Sequence, residues 1–105
     1  MFWFQSVGAR SAAVSEDSDK ALVAAIAGGD PSALEQLYKR HSRQLHWYIY
    51  ARLGDRQLAE ETLQDVMLAA WRGAGGYRGD ASVRTWLYSI AHRRAASAAR
   101  KLPKD

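Results

Sequence analysis

Proline is absent from residues 32–102, and this absence is the feature that most constrains the fold. Proline breaks the interior of a helix because it has no amide hydrogen and clashes with the preceding turn. The long segment is therefore free to be helical. Its apolar residues recur at steps of three and four, and no strand-like alternation is present, so we expect an all-α fold.

Cap and stop signals place the first two helices. Ser18 or Asp19 is suited to cap the first, and the Gly-Gly pair at 28–29 ends it. In the Asp-Pro pair at 30–31, aspartate suits the N-cap and proline the first helical position. The apolar stripe of this second helix includes a histidine, which we therefore expect to pack against the core, and Gly54 closes the helix. The stripe consists of Leu34, Leu37, Tyr38, His41, Leu45, Tyr48, Ile49 and Leu53.

Two further helices follow. The third is predicted to open at Arg56 or Gln57 and to end within the glycine-rich residues 73–76. Ser82 is suited to cap the last helix, which should run to about Lys101. The result is a compact bundle of about four helices with short connections. The core stripe of the last helix is Val83, Trp86, Leu87, Ile90 and Ala91.

The 105 residues are enough for one domain. We expect a flexible arm over residues 1–17, the helical domain over 18–101, and the start of a linker over 102–105. The opening MFWFQSVGAR does not resemble a signal peptide, and no apolar run approaches the roughly 20 residues of a membrane helix. The chain has no cysteine, which excludes disulfides and thiolate metal sites and fits the cytoplasm, our expected location.

Charge is unevenly spread along the chain, whose formal net charge is +4. Residues 57–71 carry three acidic and no basic side chains, whereas residues 72–105 carry eight basic and two acidic ones. Such asymmetry indicates a nucleic-acid-binding end and a separate acidic surface, although a solvated basic tail would look the same.

The window AEETLQDVMLAAW, residues 59–71, has an acidic outer face when wound as a helix. Leu68 lies at the centre of that face, with Trp71 near its edge. An apolar centre with a charged rim is typical of a protein interface with a basic partner, and a solvated face with an incidental leucine is the alternative. The polar members of the face are Glu60, Glu61, Gln64 and Asp65.

The segment from Tyr77 to Arg100 combines arginines with aromatic residues. Arginines bind phosphate, exposed aromatic rings stack on unpaired bases, and a helix N-terminus offers amides to phosphate. The alternative is a loop followed by an ordinary amphipathic helix. Trp86 belongs to the core stripe, so packing is its expected role.

No catalytic or metal site is indicated. His41 and His46 are five residues apart and do not share a helix face, and Glu60 and Glu61 point in different directions. The stretch GAGGYRG lacks the lysine and the preceding strand of a phosphate-binding loop. We therefore expect neither enzyme activity, nor a metal, nor a cofactor.

Three segments carry a family resemblance. In this order, GDPSALEQLYKRH, AEETLQDVMLAAW and YRGDASVRTWLYSIAHRR resemble region 2 of bacterial sigma factors of the sigma-70 family, most of all the extracytoplasmic-function type (group IV). The resemblance covers residues 19–101. Its specificity lies in RGD(A/S)-x-x-x-TWLYxIA standing at the correct distance from the AE-x-x-x-Q(D/E) helix.

The resemblance implies two binding surfaces. In that family the acidic helix binds the basic coiled coil of the RNA polymerase β′ subunit, which by position assigns polymerase binding to Glu60, Glu61, Gln64, Asp65 and Leu68. The following loop and last helix recognise the promoter −10 element and capture the non-template strand, with one base flipped into a loop pocket. The residues predicted to contact DNA are Tyr77, Arg78, Gly79, Asp80, Ser82, Arg84, Thr85, Tyr88, His92, Arg93 and Arg100.

Two departures from the family pattern stand out. Many relatives have asparagine where this chain has Arg93, which favours phosphate over a base edge there. Complete members also carry region 4, which this chain lacks, and the linker-like KLPKD favours an excised fragment. The resemblance predicts a transcription initiation factor, with an anti-sigma factor as a further candidate partner and no membrane contact. A sigma-like decoy or adaptor, and less so a helical repressor of duplex DNA, remain alternatives.

Overall fold

The computed structural model describes residues 16–103, and within this range the chain forms four α-helices joined by short connections. They are α1 (Glu16–Ala27), α2 (Pro31–Leu53), α3 (Arg56–Gly73) and α4 (Val83–Ala99), and a 3-10 turn (Ala74–Gly76) directly follows α3. The prediction of an all-α bundle is confirmed. None of the described helices combines the length and the apolar character needed to cross a membrane.

The predicted cap of α2 is present. The Asp30 carboxylate accepts a hydrogen bond from the backbone N–H of Ser32 at 2.9 Å, and Pro31 occupies the first turn. At the other end, Gly54 adopts a left-handed conformation with φ 67°, and its N–H donates to the Tyr50 carbonyl. Glycine adopts this conformation without steric cost, which is why α2 ends there.

The caps of the last two helices use short polar side chains. Asp55 accepts from the backbone N–H of Leu58 at 2.9 Å and so fixes the start of α3 at Arg56. Ser82 accepts from the backbone N–H of Thr85 at 3.0 Å, as the sequence predicts.

The predicted cap of α1 is wrong. Glu16 and Asp17, assigned to the arm, are already helical, so Ser18 and Asp19 lie inside the helix. Asp19 is only 3% exposed and serves as a buried anchor between helices.

The Asp19 carboxylate binds two side chains of α2. It accepts from Nη1 of Arg40 at 2.9 Å and lies 2.8 Å from Nε2 of His41. His41, predicted to pack against the core, is instead a polar partner of this buried carboxylate. Pairing offsets the desolvation of the buried charge.

One apolar core joins the four helices. The stripes predicted for α2 and α4 supply most of it, and α4 ends at Ala99, two residues before the predicted Lys101. Trp86 and Tyr48, both predicted as core residues, are only partly buried. Among the largest fully buried apolar side chains are Val23, Leu37, Leu45, Ile49, Val66, Val83 and Leu87.

Candidate protein-binding and nucleic-acid interfaces

The outer face of α3 is acidic, as the sequence predicts. Glu60, Glu61, Gln64 and Asp65 are all exposed, and Leu68 among them is 47% exposed. The opposite side of the helix is buried in the core. The buried residues are Ala59, Thr62, Leu63, Val66, Met67 and Ala70.

The carboxylates of this face have few partners. Glu61 lies 3.5 Å from the amide nitrogen of Gln57 on the preceding turn, and Glu60 lies 3.7 Å from Nε2 of His46. Within residues 16–103, no lysine or arginine lies within 4 Å of these carboxylates or of Asp65. The negative charge is therefore available to a basic partner.

Trp47 extends this surface onto α2. It is 65% exposed, more than any other large apolar side chain in the described range. A cavity of about 230 Å³ beside it also touches Glu60 of the acidic face. Sequence reasoning missed Trp47, although its position off the apolar stripe of α2 marked it as an exposed aromatic. The cavity is lined by Tyr38, Ser42, Arg43, His46, Trp47, Glu60 and Leu63.

The loop between the 3-10 turn and α4 is closed by Tyr77. Its hydroxyl donates to the carbonyl of Ala81, and its ring lies against Trp86 with a centroid separation of 5.1 Å. Desolvation, and then the negative charges of Glu16, Asp80 and Asp19, raise the pKa of Tyr77 above its ordinary value of 10.0. The phenol therefore keeps its proton at neutral pH and remains a donor.

This loop and the start of α4 border an open surface cavity of about 300 Å³. The volume is at the lower end of the range of small-molecule pockets, roughly 300–1,000 Å³. Five predicted DNA-binding residues border it, and Trp86 forms a wall that the sequence prediction left out. The lining residues are Gly76, Tyr77, Arg78, Gly79, Asp80, Ala81, Thr85, Trp86 and Ser89.

Gly79 gives the loop its shape. Its φ is +84°, a left-handed conformation that costs a residue with a Cβ roughly 1–2 kcal/mol. The sequence signal for this turn, a glycine followed by aspartate, predicts the loop correctly.

The N-terminus of α4 is already occupied. The backbone N–H of Val83 donates to Oε2 of Glu16 at 3.3 Å, and that of Thr85 donates to Ser82. Of the amides at Ser82 to Arg84 that the sequence analysis considered for phosphate, that of Val83 is thus bonded within the domain.

The polar face predicted for α4 divides into two flanks. Arg84 and Arg93 are nine residues apart, about 180° around a helix, so they lie on opposite flanks. On the Arg84 flank, the guanidinium lies 5.5 Å from the ring centroid of Tyr88. His92 shares this flank, because positions four apart along a helix lie on one face.

On the other flank, arginines surround a second cavity of about 310 Å³ between α3 and α4. Arg93 borders it together with Arg72 and Arg94, which the sequence prediction left out. Trp86 separates this cavity from the loop cavity, since it borders both. The second cavity is lined by Ala69, Arg72, Gly73, Trp86, Ile90, Arg93 and Arg94.

Arg100 lies apart from the other predicted DNA-binding residues. It is the exposed C-cap of α4, about 24 Å along the helix axis from Arg84. The structure does not bring it together with the loop cavity.

Side chains at the end of α2 also contact α4, and the sequence analysis did not predict this contact. The Tyr48 hydroxyl lies 3.2 Å from Nδ1 of His92, and its ring meets Tyr88 edge-on at 5.1 Å. The guanidinium of Arg52 lies 4.3 Å from the Tyr48 ring centroid. Within residues 16–103, no cluster of three or more His, Asp or Glu side chains is arranged to hold a metal.

Comparison with known proteins identifies the family to which this chain belongs. Residues 37–104 match the family described as Sigma-70 region 2, and the chain belongs to that family. It is 51% identical over 77 residues to the ECF RNA polymerase sigma factor SigM of Mycobacterium tuberculosis H37Rv, covering 71% of this chain and 38% of that protein. It is 35% identical over 60 residues to the RNA polymerase sigma factor YlaC of Bacillus subtilis 168, covering 57% and 35%.

The fold is also similar to that of a solved structure. The structure of CnrH in complex with the cytosolic domain of CnrY superposes with a TM-score of 0.72 at 27% identity, over 80% of this chain and 55% of that chain. The chain spans less than half the length of the two curated relatives.

Proposed function

We propose that this chain is the region 2 domain of an RNA polymerase sigma factor, which docks on the polymerase through α3 and holds the promoter −10 element with the loop and α4. The observation that carries this proposal is the separation of two surfaces within one sigma-70 region 2 domain. One is acidic with an exposed leucine; the other surrounds a cavity with aromatic rings and arginines.

For the polymerase, the acidic face of α3 would meet the basic coiled coil of the β′ subunit. Complementary charge mainly accelerates and orients association. Burial of Leu68 at the centre of the face adds apolar contact from which water is excluded. Trp47 stands beside Glu60 and would widen the contact onto α2.

For DNA, the loop cavity would receive one base of the non-template strand. Extruding a base costs a few kcal/mol, and stacking on an aromatic side chain returns about 1–3 kcal/mol. Tyr77 and Trp86 supply the rings, and the arginines around Trp86 supply phosphate attraction. Arg93 shares its cavity with Arg72 and Arg94, which supports phosphate rather than a base edge as its contact.

The role is one of binding and positioning, with the chemistry left to the polymerase, and it would be performed in the cytoplasm. An anti-sigma protein is a further proposed partner, because the similar CnrH was solved in complex with the cytosolic domain of CnrY.

The deciding experiment is fluorescence anisotropy with a library of single-stranded −10 non-template oligonucleotides, with and without a purified β′ coiled-coil fragment. We expect sequence-selective binding that the fragment strengthens. Fragment binding without base preference in either condition would remove the promoter-reading half of the proposal.

The docking half is tested by charge reversal. Glu61→Lys and Asp65→Lys should each weaken binding of the β′ fragment about tenfold or more, because each replaces attraction by repulsion. Asp17→Lys, at an exposed acid on α1, is the matched control and should change little. Equal affinities for all three variants would overturn the assignment of the α3 face.

A further inference from the structure

An aromatic and cationic cluster joins the end of α2 to α4, and we name it the α2–α4 cluster. Tyr48 is its centre, since this one side chain contacts an arginine, a tyrosine and a histidine. The cluster consists of Tyr48, Arg52, Arg84, Tyr88 and His92.

The two arginines of the cluster are held in place without neutralisation. Arg52 lies over the Tyr48 ring at 4.3 Å, and Arg84 lies over the Tyr88 ring at 5.5 Å. Within residues 16–103, no carboxylate lies within 4 Å of either guanidinium. Stacking on a ring leaves the N–H edge of a guanidinium free for an anion.

Tyr48 is also within hydrogen-bond distance of the histidine. When its hydroxyl donates to Nδ1 of His92, the neutral ring carries its proton on Nε2. His92 is exposed, so this leaves a hydrogen-bond donor on the same flank as Arg84. The edge-on contact of Tyr48 with Tyr88 fixes the second ring at the same time.

We infer that the end of α2 belongs to the nucleic-acid surface: Arg52 contacts a backbone phosphate, and Tyr48 is the positioning residue for Tyr88 and His92. This inference rests on the proposed function and extends its DNA surface to a third element. It assigns residues to DNA binding that lie outside the loop and α4.

A purely structural role for Arg52 makes a different prediction. Arg52 lies in the last turn of α2, where a positive charge stabilises the helix dipole. In that case Arg52→Ala would lower thermal stability and leave the salt dependence of DNA binding unchanged.

The test compares Arg52→Ala with Arg43→Ala. The two arginines are nine residues apart on α2, about 180° around the helix, so the variants lose the same charge from opposite sides. Affinity for a fluorescent single-stranded oligonucleotide and for its duplex is measured against salt concentration, using the whole 105-residue chain. The β′ fragment is kept at a saturating concentration at every salt, so that a change at Arg43, which lines the cavity beside Trp47, does not alter fragment occupancy.

We expect Arg52→Ala to weaken binding roughly three- to tenfold at low salt. The slope of log affinity against log salt is negative, and its magnitude should fall by about 0.7 on single strands or about 0.9 on duplex, one phosphate contact in either case. Arg43→Ala should leave the slope unchanged. Arg52→Lys should recover part of the slope, because it keeps the charge and loses the planar stack.

Tyr48→Phe tests the positioning role, because it keeps the ring and removes only the hydroxyl. We expect it to weaken binding several-fold in the wild-type background and to have no further effect with His92→Ala. Additive effects of the two changes would overturn this role.

The inference fails by itself if the wild-type chain binds and Arg93→Ala reduces the slope, yet Arg52→Ala matches Arg43→Ala. The proposed function fails with it if the wild-type chain binds neither probe.

Discussion

The acidic face and the loop surface hold their side chains in opposite ways. The acidic face lies on one helix, and its carboxylates project from α3 with almost no partners. Around the loop cavity, side chains from the 3-10 turn, the loop and α4 constrain one another, as Tyr77 does with Trp86 and Ala81. Free surface charges favour rapid docking on a charged partner, whereas a pre-formed cavity lowers the ordering cost of holding a single base.

The largest expected effect concerns the buried Asp19 carboxylate, which supports the helical core that both surfaces share. Asp19→Ala removes the buried carboxylate between α1 and α2 and leaves Arg40 and His41 without their hydrogen-bond partner. We expect a loss of about 3 kcal/mol of folding free energy, and a fall in Tm of more than about 10 °C by circular dichroism. Both binding activities should disappear at the same temperature, because the core joins all four helices.

Asp17→Ala is the control for that change, since Asp17 is an exposed acid on the same helix. A Tm for Asp19→Ala equal to that of the control would show that the buried pair contributes nothing. Loss of one binding activity well before the other would show that the surfaces unfold separately.

A pair of tryptophan variants tests the contrast directly. Trp86→Ala should weaken oligonucleotide binding about tenfold or more, because a stacking platform contributes about 1–3 kcal/mol per base. Trp47→Ala should leave oligonucleotide binding unchanged and weaken binding of the β′ fragment. Both affinities are measured by anisotropy, and Trp86→Phe provides a variant that keeps the core contact of the ring.

The same loss in both assays for Trp86→Ala and Trp47→Ala would break the comparison. It would mean that the two tryptophans contribute to stability alone.

The backbone conformation of Gly79 allows a further test of the difference between the two surfaces. Gly79→Ala forces a Cβ into the conformation with φ +84°, so it should cost about 1–2 kcal/mol and disturb the loop cavity. We expect weaker oligonucleotide binding and unchanged fragment binding. Gly75→Ala is the control, because its φ is not positive and a Cβ there meets no atom within 4 Å. Identical behaviour of both variants would remove the role of the turn.

The smallest effect concerns Asp30, the N-cap of α2, which belongs to neither surface. Hydrogen bonds from the Ser32 side chain and backbone lower the pKa of Asp30 below 3.8. A lowered folded-state pKa means that the ionised cap stabilises α2 above pH 3.8, and that this contribution disappears as the pH falls through the folded value.

Asp30→Ala should therefore lower the Tm slightly at neutral pH, and the difference from wild type should vanish in acid below that value. Thermal melts across pH measure it, and both binding affinities at neutral pH should stay unchanged. A difference that persists in strong acid would assign the effect to something other than the ionised carboxylate.

Sequence reasoning succeeded where one element decides the outcome. The caps of α2 and α4 follow from residues within a few positions of each helix end, and the acidic face follows from the period of α3 alone. The loop was placed correctly because Gly79 signals a turn, although its cavity walls include Trp86 from the next helix.

The features that the sequence analysis did not predict depend on contacts between different helices. Asp19 looks like a cap by itself and becomes an anchor only when Arg40 and His41 arrive from α2. Tyr48 contacts His92, which lies 44 residues later in the sequence, and no local sequence pattern predicts such a contact. A single helix cannot show which of its polar residues another helix will cover.

The bond from Val83 to Glu16 joins residues 67 positions apart. During synthesis, α2 and α3 can pair as an antiparallel hairpin as soon as α3 has left the ribosome, with the acidic face on its outside. The loop cavity can form only after α4 has been synthesised, because the first turn of α4 supplies part of its wall. That turn also bonds to Glu16 of α1. The surface proposed for polymerase is thus finished before the surface proposed for DNA, because long-range contacts form only after the intervening chain exists.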